Sequence, residues 1–96
     1  MRRQNTEPIA DVIRRFLQEE GLEKPFLEHR LVEAWPELMG PLVKKYTGRI
    51  EIRKGVLWVE ITSAALRQEL FIARDKVVKK LNEHIEAEVI TDIRFI

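Results

Sequence analysis

The sequence predicts an α+β two-layer sandwich in the order helix, helix, strand, strand, helix, strand, with a mixed three-stranded sheet. Three observations predict it. Apolar residues recur at helical spacing from Ile9 to Val43 and again from Leu66 to Ile85. Between Arg49 and Ile61 they alternate with polar ones, and alternation returns from Val89 to Ile96. A long helix lies between the second and third strands, so the last strand returns by a crossover that places it parallel in a sheet whose first pair is antiparallel. The 96 residues are 45% hydrophobic and 34% charged, which suits one core, and residues 1–96 read as a single domain.

The first helix takes Thr6 as its N-cap, with Glu7 and Pro8 in the first turn, where a missing N–H costs little. Ile9, Val12, Ile13, Phe16 and Leu17 form an inward stripe, and Gly21 supplies a left-handed residue to end the helix. The second helix opens at Pro25 and turns Leu27, Leu31, Val32 and Trp35 inward. Pro36 and the pair Gly40-Pro41 predict a broken or stepped helix that runs to about Lys45, with Trp35 as a core anchor where the pieces meet.

From Gly48 the period is two. A type I′ turn at Lys54-Gly55 sets Arg53 opposite Val56, Ile52 opposite Leu57, Glu51 opposite Trp58, Ile50 opposite Val59 and Arg49 opposite Glu60. In that register Ile50, Ile52, Leu57, Val59 and Ile61 share one face. Arg49, Glu51, Arg53, Val56, Trp58 and Glu60 share the other, and a slip of one residue would mix the two sets. Thr62 or Ser63 caps a single five-turn helix with the stripe Leu66, Leu70, Ala73, Val77, Leu81 and Ile85. The final strand turns Val89, Thr91, Ile93 and Phe95 one way and Ile90, Asp92, Arg94 and Ile96 the other, and its neighbour in the sheet is left open.

Composition narrows the function. Without cysteine there is no disulfide framework, thiolate metal site or cysteine nucleophile, and the cytoplasm is the expected location. No apolar run has the length of a signal peptide or a membrane span, so no membrane partner is expected. The four glycines build neither a Walker loop nor a dinucleotide fingerprint. His29 and His84 fit no ligand pattern and read as solvated helix residues, so no enzyme activity, cofactor, metal or small-molecule substrate is expected.

Charge is more informative locally than in total. The chain carries 17 basic and 16 acidic side chains, a net +1. Within residues 44–54, however, Lys44, Lys45, Arg49, Arg53 and Lys54 face Glu51 alone, a local excess of +4. Trp58 shares a face with Arg49 and Arg53. An aromatic ring flanked by guanidinium groups can stack a base while the cations meet phosphates. Lys44, Lys45, Arg49, Arg53, Lys54 and Trp58 are therefore the candidate nucleic-acid-binding residues. The competing readings are an Arg49–Glu60 cross-strand ion pair and a protein-docking face. Arg67, Arg74, Lys79 and Lys80 share their helix with acids and read as a solvated face.

A family resemblance rests on residues spread along the chain. They are the run from Val32 to Gly40 that includes Trp35-Pro36, then Tyr46-Thr47, the run from Gly55 to Val59, Ser63 with Leu66, Glu69 and Leu70, then Leu81-Asn82 and Ile93-Arg94-Phe95. In order and spacing they resemble the DciA-like family of bacterial proteins. The resemblance implies a KH-like fold and a place in DNA replication as an ATP-independent loader of the replicative helicase. The implied partners are DNA, single strands included, and the helicase. A KH domain clamps its ligand with a G-x-x-G loop, and no two glycines here have that spacing. DNA contact is therefore expected on other surfaces, with a protein-interaction adaptor or an RNA-binding module on the same hairpin face as the alternatives. DciA-like proteins often continue into a basic C-terminal extension, whereas this sequence ends at Ile96, in its last strand.

Overall fold

A computed structural model describes residues 8–96; the expected Thr6 cap and Glu7 lie outside the described residues. The elements are α1 (Ile9–Glu19), α2 (Glu23–Lys45), β1 (Thr47–Arg53), β2 (Val56–Ile61), α3 (Ala64–Ile72), α4 (Arg74–Ile85) and β3 (Asp92–Phe95). The strands form one sheet in the order β1-β2-β3, β1 antiparallel and β3 parallel to β2. Fold class and mixed sheet are as the periodicities predict, with one helix more than expected.

α1 ends as predicted. Gly21 has φ 71°, the Leu22 N–H donates to the Leu17 carbonyl at 2.8 Å, and the Gly21 N–H donates to that of Gln18 at 3.2 Å, the paired bonds of a Schellman cap. Its apolar stripe is not buried as expected: Ile9, Val12, Ile13 and Phe16 are exposed, and only Leu17 is half-covered. The tight turn at Gly21 lays α1 against the start of α2, and Ile13 and Leu17 line an open groove shared with the end of α4 instead of packing into the core.

α2 starts at Glu23, two residues before the expected Pro25, which sits in its first turn, where no N–H is needed. Pro36 does not end the helix. The break falls at Gly40, whose φ of 91° and ψ of 171° leave the helical region because Pro41 disfavours α geometry in the residue before it. The interruption exposes the Leu38 carbonyl, which accepts from Lys80 Nζ at 3.2 Å. Lys80 thus ties α4 to the step in α2 instead of standing free on a solvated face.

The hairpin register agrees with the prediction from Ile50 to Arg53, and the positive φ angles of Lys54 (51°) and Gly55 (79°) make the turn type I′. It departs at Arg49. A bulge between Thr47 and Ile50 adds a residue to β1, so Arg49 does not pair with Glu60 as an ion pair. The Glu60 carboxylate instead lies over Gly48 and accepts from the Arg49 backbone N–H at 3.1 Å. A Cβ on residue 48 would collide with that carboxylate.

The single long helix is two. Ser63 caps α3, its Oγ accepting from the Leu66 N–H at 3.2 Å, and Ala73 (φ −92°, ψ 8°) then separates α3 from α4. One residue in that bridge conformation leaves the apolar spacing intact, so Leu70, Val77, Leu81 and Ile85 are still buried. The last strand is also shorter than expected. Ile90, predicted to share a strand face with Asp92 and Arg94, is instead fully buried in the loop before β3. There Asn82 holds it, Nδ2 donating to the Ile90 carbonyl (2.8 Å) and Oδ1 accepting from the N–H groups of Val89 (3.0 Å) and Ile90 (3.2 Å).

The core lies between the helices and one face of the sheet. Trp35, Leu31, Leu57, Val59, Ile61, Leu81, Ile90 and Ile93 are at most 1% exposed. Trp35 is the anchor its position predicts. Its ring packs 6.2 Å from that of Phe95, and Nε1 donates to Thr47 Oγ1 at 3.1 Å, which satisfies the one polar atom this large side chain buries.

Candidate nucleic-acid interface

All helical packing falls on one side of the sheet. On the opposite side the register builds two cross-strand rows: Glu51, Trp58 and Arg94, and beside it Arg53, Val56 and Asp92. Trp58 is therefore at the centre of a face that none of the described elements covers, half-buried by its neighbours on the sheet. The Arg53 guanidinium lies over its ring, 4.5 Å from the centroid. Such a contact at an exposed site is worth about 0.5–1 kcal/mol.

Arg53 and Arg94 are each held by the acid two residues away on the same strand. Arg53 Nε lies 3.0 Å from Glu51 Oε1, and Arg94 Nε lies 3.5 Å from Asp92 Oδ2. Side chains two apart on a strand point the same way, so alternation itself creates these pairs. Counting Arg49 and Glu60, the face carries three basic and three acidic side chains. Its charge is balanced and patterned, in contrast to the +4 of the linear stretch.

The candidate residues are brought together only in part. Arg53 and Trp58 are in contact. Arg49 sits on the bulge near the start of β1. Lys44 and Lys45 occupy the last turn of α2, where a cation complements the carbonyl end of the helix, and Lys45 Nζ lies 5.6 Å from the Tyr46 ring centroid. Lys54 is in the turn at the other end of the hairpin, so β1 separates it from the lysine pair by about 20 Å at ~3.4 Å per residue. The cations mark a track along β1 with the aromatic ring beside it. Arg94 is the site residue that sequence reasoning missed. It enters through the parallel pairing of β3 with β2, which sets it directly opposite Trp58.

His29 pairs with Glu33 at 3.4 Å on the α2 surface, both side chains more than two-thirds exposed. His84 lines a groove of about 590 Å³ between α1, the start of α2 and the end of α4, with no hydrogen bond or ion pair to it among the described residues. Among the described residues no group of three His, Cys, Asp or Glu side chains is placed to hold a metal, and no helix is long and apolar enough to cross a membrane.

No curated protein matches the chain. The family model described as "Dna[CI] antecedent, DciA" matches residues 8–95, from the residue before α1 to the end of β3. That family is linked to loading of the replicative helicase and is not itself an enzyme family. A match across every described element, in agreement with the residues that carry the resemblance, shows that the chain belongs to the DciA family.

Proposed function

We propose that this protein is a DNA-contacting accessory of bacterial replication that engages the replicative helicase and meets DNA, single strands included, through Lys44, Lys45, Arg49, Arg53, Lys54 and Trp58, with Arg94 added. It acts without a cofactor, in the cytoplasm. The observation that carries the reading is the half-buried Trp58 on a helix-free sheet face, with Arg53 at 4.5 Å from its ring. Such a ring offers a base a stacking surface, and the flanking guanidinium groups and the lysines at both ends of β1 meet phosphates.

The KH-like description belongs to this proposal. Helices on one face of a three-stranded sheet suit it, but without a G-x-x-G loop the ligand is held by the sheet face. The balanced charge of that face supports one alternative, an adaptor that docks a protein there, since paired carboxylates repel phosphate and suit a mixed polar interface.

Titration of labelled single-stranded and duplex DNA at several salt concentrations tests the proposal. Neutralising about three to five phosphates of a single strand gives a log–log salt slope of about −2 to −3.5. Reversing Arg49 and Arg53 to glutamate should weaken binding and flatten the slope. No binding at low salt, together with a partner protein retained by the chain after nuclease digestion, would overturn the DNA reading in favour of the adaptor.

A further inference from the structure

Arg67 lies apart from the face just described. By helical spacing it belongs to the polar side of α3, yet it is half-buried, and its Nε is shielded from solvent with no acceptor among the described residues. A charged donor left without a partner is costly, and structures keep few of them. The same side chain lines a cleft of about 290 Å³ with Ala64, Gln68 and Phe71 of α3 and Phe95 of β3. Among the described residues no acidic side chain lines the cleft. At its rim Phe71 is 51% exposed, and the Arg74 guanidinium stacks 4.4 Å from the Phe71 ring centroid, adding a second cation.

Phe95 connects the cleft to an open backbone. Among the described residues β3 is the last strand of the sheet and pairs with β2 on one side only, so half of its N–H and C=O groups face outward. The Phe95 side chain points to the helical side, where it meets Trp35. A strand added at this edge sends every second side chain to that same side, toward α3.

We propose that the cleft between α3 and the free edge of β3 receives a carboxylate side chain from an extended segment of a protein partner, with Arg67 as its anchor. The planar guanidinium fork accepts a carboxylate through two parallel hydrogen bonds, and a small rotation of the side chain brings the orphaned Nε–H into that pair. Two aromatic walls and the small volume fit one short acidic side chain on an apolar segment. The edge strand offers alternating N–H and C=O groups that match a peptide backbone, whereas the sugar–phosphate backbone of a DNA strand carries acceptors only. The inference does not rest on the DNA reading, because the cleft opens on the helical side of the sheet with Phe95, opposite the face that carries Trp58.

The test is an NMR titration of the isotope-labelled 96-residue chain. Three probes are compared: a peptide of alternating valine and glutamate, its valine–glutamine counterpart, and a single-stranded oligonucleotide. The glutamate peptide should shift the Arg67 Nε–H signal and the amides of Ile93 and Phe95. Arg67→Lys, which keeps the charge but loses the fork, should weaken that binding at least about tenfold. Arg67→Gln serves as the second variant should the lysine protein lose its dispersed amide spectrum. An unmoved Arg67 signal, equal shifts with the glutamine peptide, or a shift caused only by the oligonucleotide would overturn the proposal.

Discussion

The two faces of the sheet are built from adjacent residues and behave oppositely. Leu57 and Trp58 are chain neighbours, but Leu57 is fully buried under the helices while Trp58 shares an open surface with arginines and carboxylates. Alternation turns one strand into a core wall and a polar surface at once. The difference teaches where to look for stability and where for binding. The inner face holds the fold together by burial, whereas the outer face spends a tryptophan and three ion-pairing or stacking arginine contacts where they add little to folding.

Substitutions on the two faces should therefore separate. Leu57→Ala removes a fully buried side chain and should lower unfolding free energy by about 2–5 kcal/mol in a urea melt, with DNA affinity retained by the folded fraction. Trp58→Ala loses half-buried area and the Arg53 contact and should cost no more than about 1–2 kcal/mol. A Trp58 loss as large as that of Leu57 would show that the outer face is structural. Glu51→Gln releases Arg53 from its pair; such exposed pairs contribute about 0–1 kcal/mol, so the melt should barely move. The same change removes one negative charge from the face and should raise affinity for a single strand a few-fold, most visibly at low salt. Unchanged affinity would place the phosphate track off this face.

Much of this contrast is legible in the sequence, because a two-residue turn fixes the hairpin register and a period of two then assigns every side chain to a face. Gly21, Ser63 and Trp35 are readable for the same local reason: a left-handed cap, a helix cap and a large ring beside a proline each act within a few residues. The failures involve tertiary placement. Amphipathicity assigns α1 an inward stripe, but nothing local reveals that none of the described elements covers Ile9 or Phe16. The break at Ala73 keeps the apolar spacing and leaves no periodic trace. Gly48 looks like a strand start, and only the Glu60 carboxylate lying over it shows why β1 bulges there. Arg94 joins the site through a pairing with β2 that strand periodicity does not determine, and Arg67 is polar by helical spacing yet half-buried in a cleft that Phe95 from a distant strand helps to line.

The local charge excess is the part of the site most altered by folding. Five cations in eleven residues suggest a positive patch, whereas the folded chain spreads them along β1 and sets Arg53 against Glu51. What remains specific is the aromatic ring at the centre of the open face.

The central claim is that this ring is a stacking surface for DNA. Anisotropy titration of a labelled single-stranded oligonucleotide with the unaltered protein and with Trp58→Ala tests it directly. Stacking of one base contributes about 1–3 kcal/mol, so the variant should bind about 5- to 150-fold more weakly while its amide spectrum stays dispersed. Equal affinity of the two folded proteins would contradict the account.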